Sequence, residues 1–116
     1  MSIQRIEPGK RLSQAVAYGN LVFLAGQVAM DKPGASMAEQ TRNILERIDK
    51  LLAQAGTDKS RILSANIWIT DMRQFDEMNR VWDAWVAEGC APARATVESR
   101  LASPDYCVEI MCVAAR

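Results

Sequence analysis

With 116 residues the chain can bury one proper core and is too short for two, so a single domain over residues 1–116 is expected. Its 49% hydrophobic and 24% charged content are ordinary globular values, and fourteen basic residues balance fourteen acidic ones, which leaves no long-range field favouring nucleic acid or anionic lipid. Histidine is absent, so the commonest general base is missing and carboxylates and water are left for any catalysis.

The opening M-S-I-Q-R-I-E-P-G-K has no apolar signal-like core, and no stretch is long enough to cross a bilayer. A cytoplasmic protein without membrane association is the expectation. Cys90, Cys107 and Cys112 are odd in number and have no paired spacing. With no histidine beside them they predict free thiols and no metal site.

In chain order, Arg11 to Val16 reads as a strand, Gly19-Asn20 as a turn, and L-V-F-L-A-G-Q-V as a second strand, so a hairpin opens the fold. Gly26 inside that run marks either close backbone packing or a backbone group left open to a ligand. Asp31 to Gly34 breaks the chain. Ser36 with Glu39 has capping-box spacing and starts a helix, whose buried stripe is Thr41, Ile44, Leu45, Ile48, Leu51, Leu52 and Ala55, stopped by Gly56. From Ile62 to Thr70 the chain alternates, with Leu63, Ala65, Ile67 and Ile69 on one face and Ser64, Asn66, Trp68 and Thr70 on the other. Asp71 with Gln74 caps a second helix, whose stripe of Phe75, Met78, Trp82, Trp85 and Val86 reads as core rather than as a ligand box. Asn79 on that helix reads as a polar or capping contact. Two strands close the chain, about Ala93 to Glu98 and Tyr106 to Val113.

This β-β-α-β-α-β-β order predicts an α+β fold with both helices on one face of a sheet. The uncovered face, assigned Ser64, Asn66, Trp68, Arg94, Thr96, Glu98 and Glu109, is mixed, which suggests packing against copies of the chain. The two closing strands each place one charge among apolar residues. Paired as a hairpin with its loop near Ser99 to Asp105, they would set Arg94 opposite Glu109 on one face. A guanidinium grips a carboxylate through two parallel hydrogen bonds, and a carboxylate orients a water. The competing readings make Arg94 a structural ion-pair partner of Glu98 or Glu109 at the subunit interface and Glu109 a partner for a neighbouring subunit's arginine, and Arg100 reads as a rim or loop residue.

The segments S-Q-A-V, G-N-L-V-F-L-A-G-Q-V, Q-T-R-N-I-L-E-R-I-D-K-L-L-A-Q-A-G, D-M-R-Q-F-D-E-M-N-R-V-W, P-A-R-A-T-V-E-S-R-L and V-E-I run in order from about Ser13 to Val113. Together they resemble the RidA/YjgF family of imine and enamine deaminases. The W-D-A-W-V stretch and the short loop after Gln27 look more like its YoaB-like branch. The resemblance implies a chorismate-mutase-like fold: a six-stranded, mostly antiparallel sheet with two helices on one face, joined as a homotrimer with sites between subunits. It further implies hydrolysis of reactive 2-imino or 2-enamino acids to 2-oxo acids and ammonia, with neither cofactor nor metal. On this resemblance Arg94 matches the arginine that holds the substrate carboxylate and Glu109 the glutamate that positions water. Gly26 matches the glycine framing the site. Thr96 stands where a cysteine offers its backbone N–H to ligand. Leu12 replaces a tyrosine thought to reach the neighbouring site, which makes the pocket more apolar there. A trimer that binds or senses a small carboxylate without chemistry is the alternative expectation.

Overall fold

A computed structural model describes residues 1–116 as one six-stranded sheet backed by two helices. The strands are β1 (Ile3–Pro8), β2 (Ser13–Tyr18), β3 (Leu21–Leu24), β4 (Ile62–Ile69), β5 (Ala93–Glu98) and β6 (Val108–Ala115), and the helices are α1 (Met37–Gln54) and α2 (Phe75–Trp85). Across the sheet the order is β1-β2-β3-β6-β4-β5, and every pairing is antiparallel except β4 with β5. This is the α+β, six-stranded, mostly antiparallel fold expected of the family. No helix is long and apolar enough to cross a membrane.

Local signals account for most elements. Gly19, at φ 58°, turns β2 into β3 so that Tyr18 faces Leu21. The Ser36 hydroxyl accepts the Glu39 N–H at 3.2 Å and starts α1, whose predicted stripe is buried throughout. Each fully buried Leu or Ile there contributes about 1.5–3 kcal/mol of transfer free energy. Both helices and the inner face of the sheet share one contiguous core, to which Trp82 belongs. Gln40, buried in α1, donates to the Asp105 carbonyl and accepts from the Cys107 N–H, which pins the segment leading into β6.

Three expectations are corrected. Reading the residues alone finds five strands, and the sixth is β1, whose one buried residue is Ile6. Without alternation, and with Pro8 at its end, an edge strand carries little local signal. Leu63 is exposed rather than core, because a register irregularity between Ile62 and Ser64 turns Ile62 inward instead. Most consequentially, β5 and β6 are not a hairpin. β4 lies between them, parallel to β5 and antiparallel to β6. A strand, a helix and a strand in succession form a crossover unit that favours parallel neighbours, and β4-α2-β5 is such a unit.

That change separates the two charged residues. Arg94 aligns with Ala65 and, across β4, with buried Cys112, so it belongs to the helix-covered face. Glu109 aligns with Trp68 and lies between Val108 and Ile110, which point into the core; its side chain therefore emerges on the uncovered face. Thr96 and Glu98 likewise follow Arg94 to the helix side, while Ser64, Asn66 and Trp68 stay on the open face as expected. Exposed Tyr18, Leu21, Phe23 and Val97 make that open face more apolar than the sequence reading allowed.

Candidate functional site

The Arg94 half of the site is built by β5 and α2. Phe75 and Trp82 occupy the same stripe of α2, and their rings lie 5.9 and 5.2 Å from the guanidinium carbon. Aromatic faces attract a cation without neutralising it. Arg94 forms no ion pair: the chain's single salt bridge joins Arg73 to Asp71. Glu98, the proposed structural partner, instead accepts the Met72 N–H at 2.8 Å. The guanidinium fork is therefore held in place with its donors uncommitted, which suits a carboxylate. Trp82 is core, as read from its spacing, and also a platform for Arg94, a role that helix periodicity cannot reveal.

Thr96 lies two residues along β5 on the same face, and its hydroxyl oxygen is buried without a partner. Asn79 sits on α2 between Phe75 and Trp82, and its Oδ1 is likewise buried and unpartnered. The expected capping contact for Asn79 is not made. Its position on the Phe75–Trp82 stripe was the available signal that it belongs with Arg94.

The Glu109 half is built by β6 and the irregular segment after β3. Glu109 is half-buried and makes no hydrogen bond or ion pair, and burial pushes its carboxyl above the usual carboxylate range. Gly26 packs directly against it. A side-chain carbon at position 26 would run into the Glu109 carboxylate and lie 3.0 Å from its Cδ. Of the two readings of Gly26, close packing is the observed one, and the group it packs on is the candidate catalytic carboxylate. The Gly26 segment is fixed by its neighbour. Gln27 exchanges both backbone hydrogen bonds with Ile110, and its buried side chain donates to Gln14 Oε1 at 2.9 Å and to the Ala25 carbonyl at 3.0 Å. The sequence reading passed over Gln27, although an amide inside an apolar run was a visible cue.

Within one chain these residues form two half-sites. Gly26 and Glu109 meet on the open face; Arg94, Thr96 and Asn79 cluster at the β5 edge under α2. Leu12 joins neither: it lies in the β1–β2 turn, 53% exposed, where its carbonyl accepts the Gly9 N–H at 2.7 Å. β2 and β5 are four strands apart in the sheet, about 19 Å at ~4.8 Å per step. Arg100 is an exposed loop residue, one of the two positions expected of it, and lines a 370 Å³ hollow with Thr70, Ser103 and Tyr106. A larger groove of about 670 Å³ runs between α1 and α2, away from both half-sites. No three His, Cys, Asp or Glu side chains converge as metal ligands. Burial raises the Cys107 thiol and pushes that of Cys112 up to about 12, so both stay protonated and poorly nucleophilic at neutral pH.

A family profile described as Endoribonuclease L-PSP matches residues 2–116. The chain is a member of the RidA/YjgF family. Within that family it is 46% identical over 114 residues to a RutC family protein of Haemophilus influenzae, covering 98% of both chains. It is 43% identical over 115 residues to the RutC family protein YoaB of Escherichia coli, covering 99% of both. A crystal structure of a YjgF family member from Neisseria meningitidis superposes with a TM-score of 0.96 at 46% identity, covering 100% of this chain and 96% of that one. The YjgF likeness thus extends over the whole chain, β1 included.

Proposed function

We propose that the protein hydrolyses reactive 2-imino and 2-enamino acids to 2-oxo acids and ammonia, in clefts between the subunits of a homotrimer. Arg94 of one subunit and Glu109 of the next complete each cleft. The observation that carries this reading is the pair of uncommitted charges on opposite faces, an unpaired guanidinium and an unpartnered carboxyl. Opposite faces of one sheet cannot make a common site, but two copies packed side by side can. The apolar open face bearing Phe23 and Val97 supports such packing.

In the cleft Arg94 forks the substrate carboxylate and so sets the imine carbon in place. Glu109, as carboxylate, takes a proton from water as the oxygen adds to that carbon and the C=N pair moves to nitrogen. On the protonated imine this leaves an amine beside a hydroxyl; the acid Glu109 has become returns its proton to that nitrogen, and the carboxylate so regenerated takes the hydroxyl proton as C=O forms and ammonia leaves. A carboxyl raised by burial is a stronger base than an ordinary glutamate and serves both steps. For an enamine the protonated acid first delivers its proton to the β-carbon, giving the protonated imine and the carboxylate that activates water. No cofactor or metal is needed.

Adding the protein to an amino-acid oxidase or a dehydratase that releases imino acids should speed appearance of the 2-oxo acid, and Arg94→Ala should remove the effect. No acceleration across a panel of amino-acid-derived imines would sink the proposal. A second reading, a trimer that binds a 2-oxo acid without turnover, is favoured by Leu12, which carries no hydroxyl to relay a proton. It predicts thermal stabilisation by small 2-oxo acids with no catalysis.

A further inference from the structure

Gln27 pairs with Ile110, a core residue, so its side chain enters the helix-covered side of the sheet while Gly26 stands on the other side, against Glu109. There its Oε1 accepts the Nε–H of Arg47 on α1 at 3.3 Å, and its Nε2 donates to the Ala25 carbonyl at 3.0 Å and to Gln14 Oε1 at 2.9 Å. A guanidinium only donates and a carbonyl only accepts, so Arg47 and Ala25 between them permit one orientation of the amide. Reversed, it would set N–H against N–H and oxygen against oxygen, at a position 1% exposed where water relieves neither. The Ala25 carbonyl lies in the peptide plane that ends at the Gly26 nitrogen. Anchoring it, together with the Gln27–Ile110 backbone bonds at 2.8 and 3.1 Å, holds Gly26 from both sides.

We infer that Arg47 and Gln27 are positioning residues for Glu109: the arginine orients the amide, the amide sets Gly26, and Gly26 limits where the carboxyl can go. This rests on the reading of Glu109 as the group that activates water. A single carbon added at position 26 would collide with that carboxylate, so a small shift of the segment changes both the aim of the carboxyl and the access of water to it. A base must hold its water in line with the carbon under attack, and misplacing it by about 1 Å can cost ~10²-fold in rate. Neither positioning residue touches substrate. Gln27 is buried, and half-buried Arg47 lies on α1, across the sheet from Glu109. The chain of bonds thus runs from a helix on one face, through the sheet, to the proposed chemistry on the other.

Two readouts on the full chain test this: carbon-13 titration of the Glu109 carboxyl, and kinetics with the imine that an amino-acid oxidase releases from alanine. Gln27→Met keeps an unbranched side chain of similar length and removes all three amide bonds. It should lower kcat on the order of tenfold with KM within about twofold. The Glu109 titration should move down toward the ordinary glutamate range as water reaches the carboxyl. Arg47→Met should move both readouts the same way by less, and Arg47→Lys, which keeps a donor, should restore them. Arg94 of the next subunit and Trp68, aligned with Glu109 on β4, are common to all variants, so the differences report the Gly26 segment. Ile44→Val loosens the core under α1 without touching these bonds and should leave both readouts as they are. An unmoved titration or kcat in Gln27→Met, a loss on KM alone, or the same change in Ile44→Val would overturn the inference. Should Gln27→Met not fold, the two Arg47 variants decide, and equal behaviour of both overturns it. If the unaltered protein turns over no imine, the deaminase reading fails, while the Glu109 titration across the variants still decides the positioning.

Discussion

Within its own chain no cation or donor faces Glu109, and burial raises its carboxyl. The native state therefore holds its proton to a higher pH than the unfolded chain does. Its contribution to stability is complete below the unfolded value, near ~4.3, and is lost as pH rises through the folded one. Glu109→Gln should consequently melt slightly higher than the unaltered protein at neutral pH and no higher at pH 4, as thermal scans at the two pH values would show. In the same variant deamination should fall by ~10²–10⁴-fold. The acid limb of the kcat/KM profile should lie above the ordinary glutamate range, and a limb at or below that range would remove Glu109 as the base. Gly26 is tied to this residue by space alone. Gly26→Ala must push the Glu109 carboxylate aside, and because that is the end of a flexible, half-buried side chain the loss of stability should stay under ~1 kcal/mol. Combining it with Glu109→Ala should recover most of that loss in a double-mutant cycle. Strict additivity would contradict the contact.

At the scale of elements, α2 does two jobs with one stripe. Met78 and Trp82 anchor the helix in the core, while Phe75 and Trp82 present their faces to Arg94. Phe75 is only partly buried, which allows the second job to be weakened with little damage to the first. Phe75→Leu should leave the melting temperature nearly unchanged and raise KM by roughly two- to fivefold, the value of a cation–π contact of ~0.5–1 kcal/mol. An unchanged KM would show that Arg94 needs no aromatic platform. The strand that carries Arg94 shows where local signals run out. The bounds of β5 are those expected, Ala93 to Glu98, because a six-residue strand after Pro92 is written in neighbouring residues. Its partner is not. Alternation says which residues of a strand share a face, but not which strand pairs with it, so Arg94 was placed opposite Glu109 when it aligns with Ala65.

For the whole molecule, the proposed function makes activity a property of the assembly, because its two half-sites lie on opposite faces of one chain. Arg94→Ala and Glu109→Gln should each be inactive as pure proteins. Mixed and allowed to exchange subunits, they should regain about a quarter of full activity, since random cyclic assembly pairs an intact Arg94 with an intact neighbouring Glu109 at that frequency. No recovery after proven exchange would rule out a site shared between subunits. Phe23, 45% exposed on the open face, offers a complementary test. Phe23→Asp should lower the mass seen by light scattering and abolish turnover while leaving each subunit folded.

Residues near one another along the chain were sufficient to place both helices, the Ser36 cap and buried stripe of α1, and the β2–β3 turn. Each of those features is carried by spacing within a few positions: 3.6 residues per helical turn, two per strand repeat, a hydroxyl three residues before a backbone N–H. Folding alone settled that β4 enters between β5 and β6, that β1 closes the far edge, that Gly26 lies against Glu109, and that Asn79 and Thr96 remain unpaired beside Arg94. These depend on contacts between residues far apart in the chain, where strand edges compete for the same backbone hydrogen bonds and no local pattern records which edge wins.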